Sequence, residues 1–116
     1  MGLTSLDLFR SGNRNTANLD SVRTPTNSAD PDVDTFFDQA GIEWVQANGK
    51  GVSTADAPKA TWRGQPWRLP RGSQYSDDLV VSEDDPGHWT WAPARDMPLA
   101  DYKAALGLAN AHFVKA

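Results

Sequence analysis

Helical periodicity is strong in only one stretch of this chain, and that stretch lies at the C-terminal end. From Pro98, the residues Leu99, Tyr102 and Leu106 recur at helical spacing among Ala104, Ala105, Leu108 and Ala109, most of them strong helix formers. Upstream, glycine, proline, asparagine and aspartate cut the sequence into pieces too short for a second helix of that length. Several short strands followed by one terminal helix predict an α+β fold.

The strand candidates follow from alternation between turn signals. Leu3 to Phe9 alternates Leu3, Leu6 and Leu8 with polar neighbours and meets Arg10, which reads as a strand ending in an inward or cleft-facing arginine. Residues 11–34 form a long polar loop rich in turn formers, among them Gly12, Asn13, Pro25 and Asp30-Pro31-Asp32. Only Leu19 to Arg23 resembles a small strand or turn there. A loop of that length is either a lid over a site or weakly ordered. Asp34 to Ala40 is weakly helical, Ile42 to Val45 reads as a strand, and Gly51-Val52-Ser53-Thr54 reads as a tight turn leading into another. Trp67 to Leu69 and Leu79 to Val81 are further strands, followed by an acidic loop at Glu83 to Gly87. His88 to Trp91 alternates, placing His88 and Thr90 on one face and Trp89 and Trp91 on the other.

With 116 residues, one domain covering 1–116 is expected, since such a chain buries roughly two-thirds of its unfolded surface in one core. Five tryptophans predict that this core is small and Trp-heavy. The absence of cysteine removes disulfides and thiolate chemistry and fits a reducing compartment, so a cytoplasmic site of action is expected. The N-terminus shows no basic and apolar pattern of a secretory signal and no membrane span. Met1-Gly2 is no myristoylation signal, because Leu6 stands where that signal needs a hydroxyl. A net charge of -4 with scattered cations argues against stable nucleic-acid binding and favours a basic macromolecular partner.

Groups that do chemistry at neutral pH are few. The chain has two histidines, His88 and His112, and its glutamates are Glu43 and Glu83. Paired-carboxylate glycoside cleavage would have to draw on aspartates that sit mostly in turns. The histidines and scattered aspartates show no metal-ligand spacing, so no metal is expected. The segment Gly51 to Ala55 lacks the second glycine of a serine nucleophile elbow. His88, in front of an aromatic strand, is either a satisfied structural histidine or the reactive group of the chain.

Taken in order, Thr4-Ser5-Leu6-Asp7-Leu8-Phe9-Arg10, Gly51-Val52-Ser53-Thr54, Trp67-Arg68-Leu69-Pro70-Arg71-Gly72 and His88-Trp89-Thr90-Trp91-Ala92-Pro93-Ala94-Arg95-Asp96-Met97 resemble one family. It is the ADP-ribosyltransferase-like toxin family of type VI secretion effectors. The resemblance implies a small split, mixed or antiparallel sheet that binds NAD between two halves. It implies catalytic roles for Arg10, Ser53 and His88, with Arg10, Ser53 and Thr54 binding NAD and Trp44, Trp89 or Tyr75 stacking on a ring. Such a toxin modifies a macromolecule in the cytoplasm of a target cell and has a cognate immunity protein. NAD hydrolysis in the same pocket, or a binding module without turnover, are the alternatives. Related transferases often offer a glutamate on a late strand, where this chain carries His88.

Overall fold

Short strands with bulky, β-branched or aromatic residues at alternate positions account for most of the regular structure. The computed structural model describes residues 1–116. Strand β1 (Gly2–Leu3) is followed by β2 (Leu8–Gly12), β3 (Thr35–Phe37), β4 (Glu43–Val45), β5 (Val52–Ala55), β6 (Gln65–Leu69) and β7 (Gln74–Tyr75). A long hairpin of β8 (Leu79–Asp85) and β9 (His88–Pro93) leads through β10 (Met97–Pro98) into helix α1 (Leu99–Asn110) and the last strand, β11 (Val114–Lys115).

The strands form a six-stranded sheet in the order β11-β6-β2-β5-β9-β8, a three-stranded sheet β10-β4-β3 and the pair β1-β7. Every ladder is antiparallel. The large sheet is split down the middle. Strand β2 pairs with β6 over five positions, from Leu8↔Leu69 to Gly12↔Gln65, and β5 pairs with β9 over four, from Val52↔Trp91 to Ala55↔His88. Between these zipped halves, β2 and β5 share a single pair, Phe9↔Ala55.

One face of the sheet carries the core. Leu8, Val52, Leu69, Leu79 and Trp91 are buried there, and Tyr102, Ala105, Leu106 and Ala109 of the helix join the same apolar cluster. Tyr102 is fully buried, and burial pushes its phenol well above the ordinary range. Its hydroxyl donates to the Trp91 carbonyl at 2.6 Å and accepts from the Val52 amide at 3.2 Å. It thereby ties the helix to the β5–β9 half. A Cβ at position 51 would collide with the Trp91 carbonyl, so the chain enters β5 through a glycine.

The long loop after β2 is packed, and the weakly ordered alternative does not hold. Ala17, Leu19, Val22, Thr24 and Val33 are buried, and Asn110 at the end of α1 holds the loop through the Leu19 amide and the Thr16 hydroxyl. Of Leu19 to Arg23, Leu19-Asp20 forms a turn and the rest joins no strand.

Other local expectations shift. Leu3 to Phe9 is not one strand, because a bend at Ser5-Leu6 separates β1 from β2, and Arg10 falls at the centre of β2. Asp34 to Ala40 holds strand β3 in place of the expected helix, since Thr35, Phe36 and Phe37 pair with β4, and tertiary pairing overrides local propensity. The acidic loop is largely strand, because pairing with β9 extends β8 as far as Asp85. Of the five tryptophans, Trp67 and Trp91 are buried, which makes the core more aliphatic than composition suggests.

Candidate active site

The split between β2 and β5 opens a cleft of about 250 Å³ lined by Arg10, Ser11, Ser53, Thr54, Ala55, Lys59, Trp62 and His88. Strand β2 supplies one wall, β5 the other, and His88 enters from the start of β9. The loop between β5 and β6 contributes Lys59 and Trp62, brought to the rim by a turn in which the Trp62 amide donates to the Lys59 carbonyl at 3.0 Å.

Arg10 occupies the gap that the missing ladder leaves. Its Nη1 donates to the Ser53 carbonyl at 2.7 Å, Nε to Ala17 O at 3.1 Å and Nη2 to Asn18 O at 3.1 Å. A side chain thus replaces backbone pairing between the two halves and braces the long loop against β5. A guanidinium has five N–H donors, so one on each of Nη1 and Nη2 stays uncommitted. Burial lowers the Arg10 pKa, partly offset by the more distant carboxylate of Asp32, yet a guanidinium remains charged at neutral pH. Three neutral carbonyls and no carboxylate hold this cation, and a half-buried cation so placed favours an incoming anion.

Ser53 and Thr54 are neighbours with different duties. The Thr54 hydroxyl accepts from Trp91 Nε1 at 3.1 Å and donates to the Trp89 carbonyl at 3.3 Å, so it is committed to the core. Ser53 faces the other way and lines both this cleft and a second cavity of about 270 Å³. His88 also lines both, so Ser53 and His88 form the ridge between them. The second cavity includes Arg23, Asp32, Lys50 and Asp84. Its cations are already paired, Arg23 with Asp32 at 2.7 Å and Lys50 with Asp34 at 3.1 Å.

His88 is not a free imidazole. Its Nδ1 lies 2.5 Å from Asp84 Oδ1. Desolvation pushes the Asp84 carboxyl up, but hydrogen bonds from His88 and Thr90 outweigh it and leave the group below its ordinary value.

The structure brings together Arg10, Ser53, Thr54 and His88 of the residues singled out from the sequence. Trp44 stands apart, in the three-stranded sheet, where its ring stacks on Phe36 at 6.1 Å and its indole N–H donates to Asp38 at 2.9 Å. Trp89 and Tyr75 line a cavity of about 40 Å³ on the core side with Leu3 and Leu8. Neither Trp44, Trp89 nor Tyr75 lines the cleft. The aromatic group at the cleft is Trp62, which sequence reasoning missed along with Lys59 and Ser11. The available signal was a tryptophan between cations in a loop, Lys59-Ala60-Thr61-Trp62-Arg63.

No group of three or more histidine, aspartate or glutamate side chains is placed to hold a metal ion. No helix is long and apolar enough to cross a membrane.

An antiparallel sheet split around a cationic, hydroxyl-lined cleft fits a domain that takes an anionic ligand between two halves. No curated protein matches the chain. The family model described as Tse2 ADP-ribosyltransferase toxin matches residues 5–115, a span that contains both halves of the sheet, the long loop and every residue of the cleft. The chain therefore belongs to the Tse2 ADP-ribosyltransferase toxin family, whose transferases use NAD as substrate.

Proposed function

We propose that the cleft binds NAD and that the protein transfers ADP-ribose to a macromolecule in the cytoplasm of a target cell. The observation that carries this reading is the Arg10 guanidinium, anchored on three carbonyls with two N–H groups to spare and no carboxylate partner. It suits one phosphate of a dinucleotide, with Lys59 at the rim adding a second positive charge. Trp62 offers the flat apolar face on which a nicotinamide or adenine ring stacks. The cleft of about 250 Å³ takes one half of NAD, and the adjoining cavity across Ser53 and His88 admits the acceptor.

The chemistry asked of these residues is modest. Breaking the bond between ribose C1′ and nicotinamide sends the electron pair to the ring nitrogen, cancelling its positive charge, and leaves an oxocarbenium-like sugar. Ser53 holds a ribose hydroxyl, Arg10 fixes the diphosphate, and His88 receives the proton of the attacking group. Transfer and hydrolysis differ only in whether that group belongs to a macromolecule or to water. Delivery by type VI secretion, a role in competition between bacteria and neutralisation by a cognate immunity protein belong to the same reading and rest on family membership.

The test is to mix the purified protein with NAD labelled on the adenylate and with bacterial lysate. Label on a macromolecule together with free nicotinamide supports transfer, and free ADP-ribose without labelled macromolecule supports hydrolysis. Binding of NAD without release of nicotinamide identifies a binding module. Absence of both binding and release overturns the NAD reading. Expression of the parent chain in a bacterial cell is expected to arrest growth, and His88→Ala to relieve it.

A further inference from the structure

The β8–β9 ladder runs in step from Leu79↔Pro93 to Glu83↔Trp89 and then slips, so that Asp85 rather than Asp84 stands opposite His88. Asp84 is the bulged residue, and a bulge turns a side chain away from the direction that regular pairing would give it. Here it turns the carboxylate onto the imidazole four residues later, at 2.5 Å from Nδ1. The turn that closes the hairpin is Pro86-Gly87, with the glycine at φ 78°, a conformation that suits glycine. The Gly87 amide donates to Glu83 Oε2 at 2.9 Å, so both sides of the bulge are tied down.

We propose that Asp84 is a positioning residue for the transfer reaction, holding His88 in the tautomer that carries its proton on Nδ1 and presents a bare Nε2 to the cleft. An ionised carboxylate only accepts hydrogen bonds, so the shared proton belongs to Nδ1, and in the neutral form of such a ring Nε2 is the acceptor. Asp84 lines the second cavity and has no part in the wall of the first, whereas His88 lines both. The ring therefore reaches from the carboxylate towards the cleft.

The glutamates cannot take this place. Glu43 belongs to the three-stranded sheet and accepts from the hydroxyls of Thr26 and Thr35, and Glu83 is held on the hairpin turn.

The inference rests on the NAD reading above. As C1′ loses nicotinamide with its bonding pair, the acceptor atom forms a bond to C1′ and its proton passes to His88 Nε2. Asp84 then faces an imidazolium and stabilises it, which lowers the barrier without the carboxylate touching NAD.

Two histidines make the test direct. In nitrogen-15 spectra that correlate ring nitrogens with ring protons, His112 serves as the internal reference and His88 is expected to show a protonated Nδ1 and an unprotonated Nε2. Asp84→Ala and Asp84→Asn are expected to remove that signature and to lower kcat by about 10²-fold, within the range of general acid–base groups. KM for NAD and the melting temperature should stay at the parent values. Asp84→Glu, which keeps an acceptor on a longer stem, should recover part of both readouts. If the parent turns over NAD but His88 carries its proton on Nε2, the positioning role is wrong and the NAD reading stands. The positioning role fails equally, and the NAD reading again stands, if both variants keep the parent kcat. If the parent neither binds nor cleaves NAD, the NAD reading falls and the role of Asp84 falls with it.

Discussion

Strand β5 has two flanks built on opposite principles. Towards β9 it is zipped over four residue pairs and stapled from above by the Tyr102 hydroxyl. Towards β2 it is joined by one pair and by the side chain of Arg10. The zipped flank is where the apolar mass lies, with Val52 and Trp91 fully buried. The open flank is where groups able to bind a ligand converge. A sheet that paired fully on both sides would satisfy its backbone within itself and leave no opening between its halves. By giving the Ser53 carbonyl a guanidinium in place of a neighbouring strand, the fold keeps that group satisfied and gains a cleft carrying a fixed positive charge.

If this division is right, damage on the two flanks should separate stability from ligand binding, and the largest effect should fall on the zipped side. Trp91 has no exposed surface, its indole N–H is bonded to Thr54, and its ring meets Tyr75 edge-on at 5.5 Å. Trp91→Ala is expected to cost about 3–5 kcal/mol, the usual range for truncating a buried tryptophan. That is a large part of what a domain of this size has. Urea unfolding monitored by circular dichroism would measure it. A loss within the error of the measurement would mean that the β5–β9 half is not the stabilising one.

Next in size is Arg10, the one residue that belongs to both descriptions. Arg10→Met keeps most of the stem but removes donors from the carbonyls of Ser53, Ala17 and Asn18. A charged hydrogen bond to a phosphate is worth about 1.5–3 kcal/mol, so NAD affinity measured by calorimetry should fall by about 10- to 100-fold. Arg10→Lys keeps the charge without the fork that reaches three carbonyls, so it should restore little of that binding. Full restoration by lysine would show that Arg10 acts only as a point charge.

A smaller effect is expected at the rim. Trp62→Ala removes the aromatic group of the cleft while leaving the sheet untouched. Stacking of a base on an aromatic side chain is worth about 1–3 kcal/mol, so KM for NAD should rise with the melting temperature unchanged. If Trp44→Ala, made on the separate three-stranded sheet, raises KM as much as Trp62→Ala does, the site has been placed on the wrong sheet.

How much of this was legible in advance depends on whether the signal was local. The terminal helix was, because spacing and propensity act within one segment, and Leu99–Asn110 matches the periodic stretch nearly residue for residue. The alternation in His88 to Trp91 was also local. The split was not, since it depends on how many residues β2 and β5 share, and no window of sequence contains both strands. For the same reason Arg10 could be placed on a strand but its three carbonyl partners could not be foreseen. Trp44 and Trp89 illustrate the converse error. Their composition suited ring stacking, but pairing carried one into a different sheet and turned the other towards the core. Asp84 was one of a run of acidic residues that read as a loop, and only the slip in register singles it out.

The finest division between the flanks lies within a single dipeptide, and it gives the smallest expected effects. Thr54 points towards Trp91, and its hydroxyl is the partner of a buried indole N–H. Thr54→Val keeps the shape and orphans that donor, at a cost of about 1 kcal/mol or somewhat more. Ser53, one residue away, points towards the cleft and the second cavity, and its contribution to the sheet is its carbonyl, which any residue would supply. Ser53→Ala should therefore change stability by less than about 0.5 kcal/mol, as substitutions away from core contacts do. Its effect should appear in NAD turnover instead. Melting temperatures and initial rates measured on the two variants side by side would show the crossover: Thr54→Val lowers the first and spares the second, and Ser53→Ala does the reverse. Parallel losses in both would mean that β5 is one cooperative structural unit and that the cleft wall has no separate role.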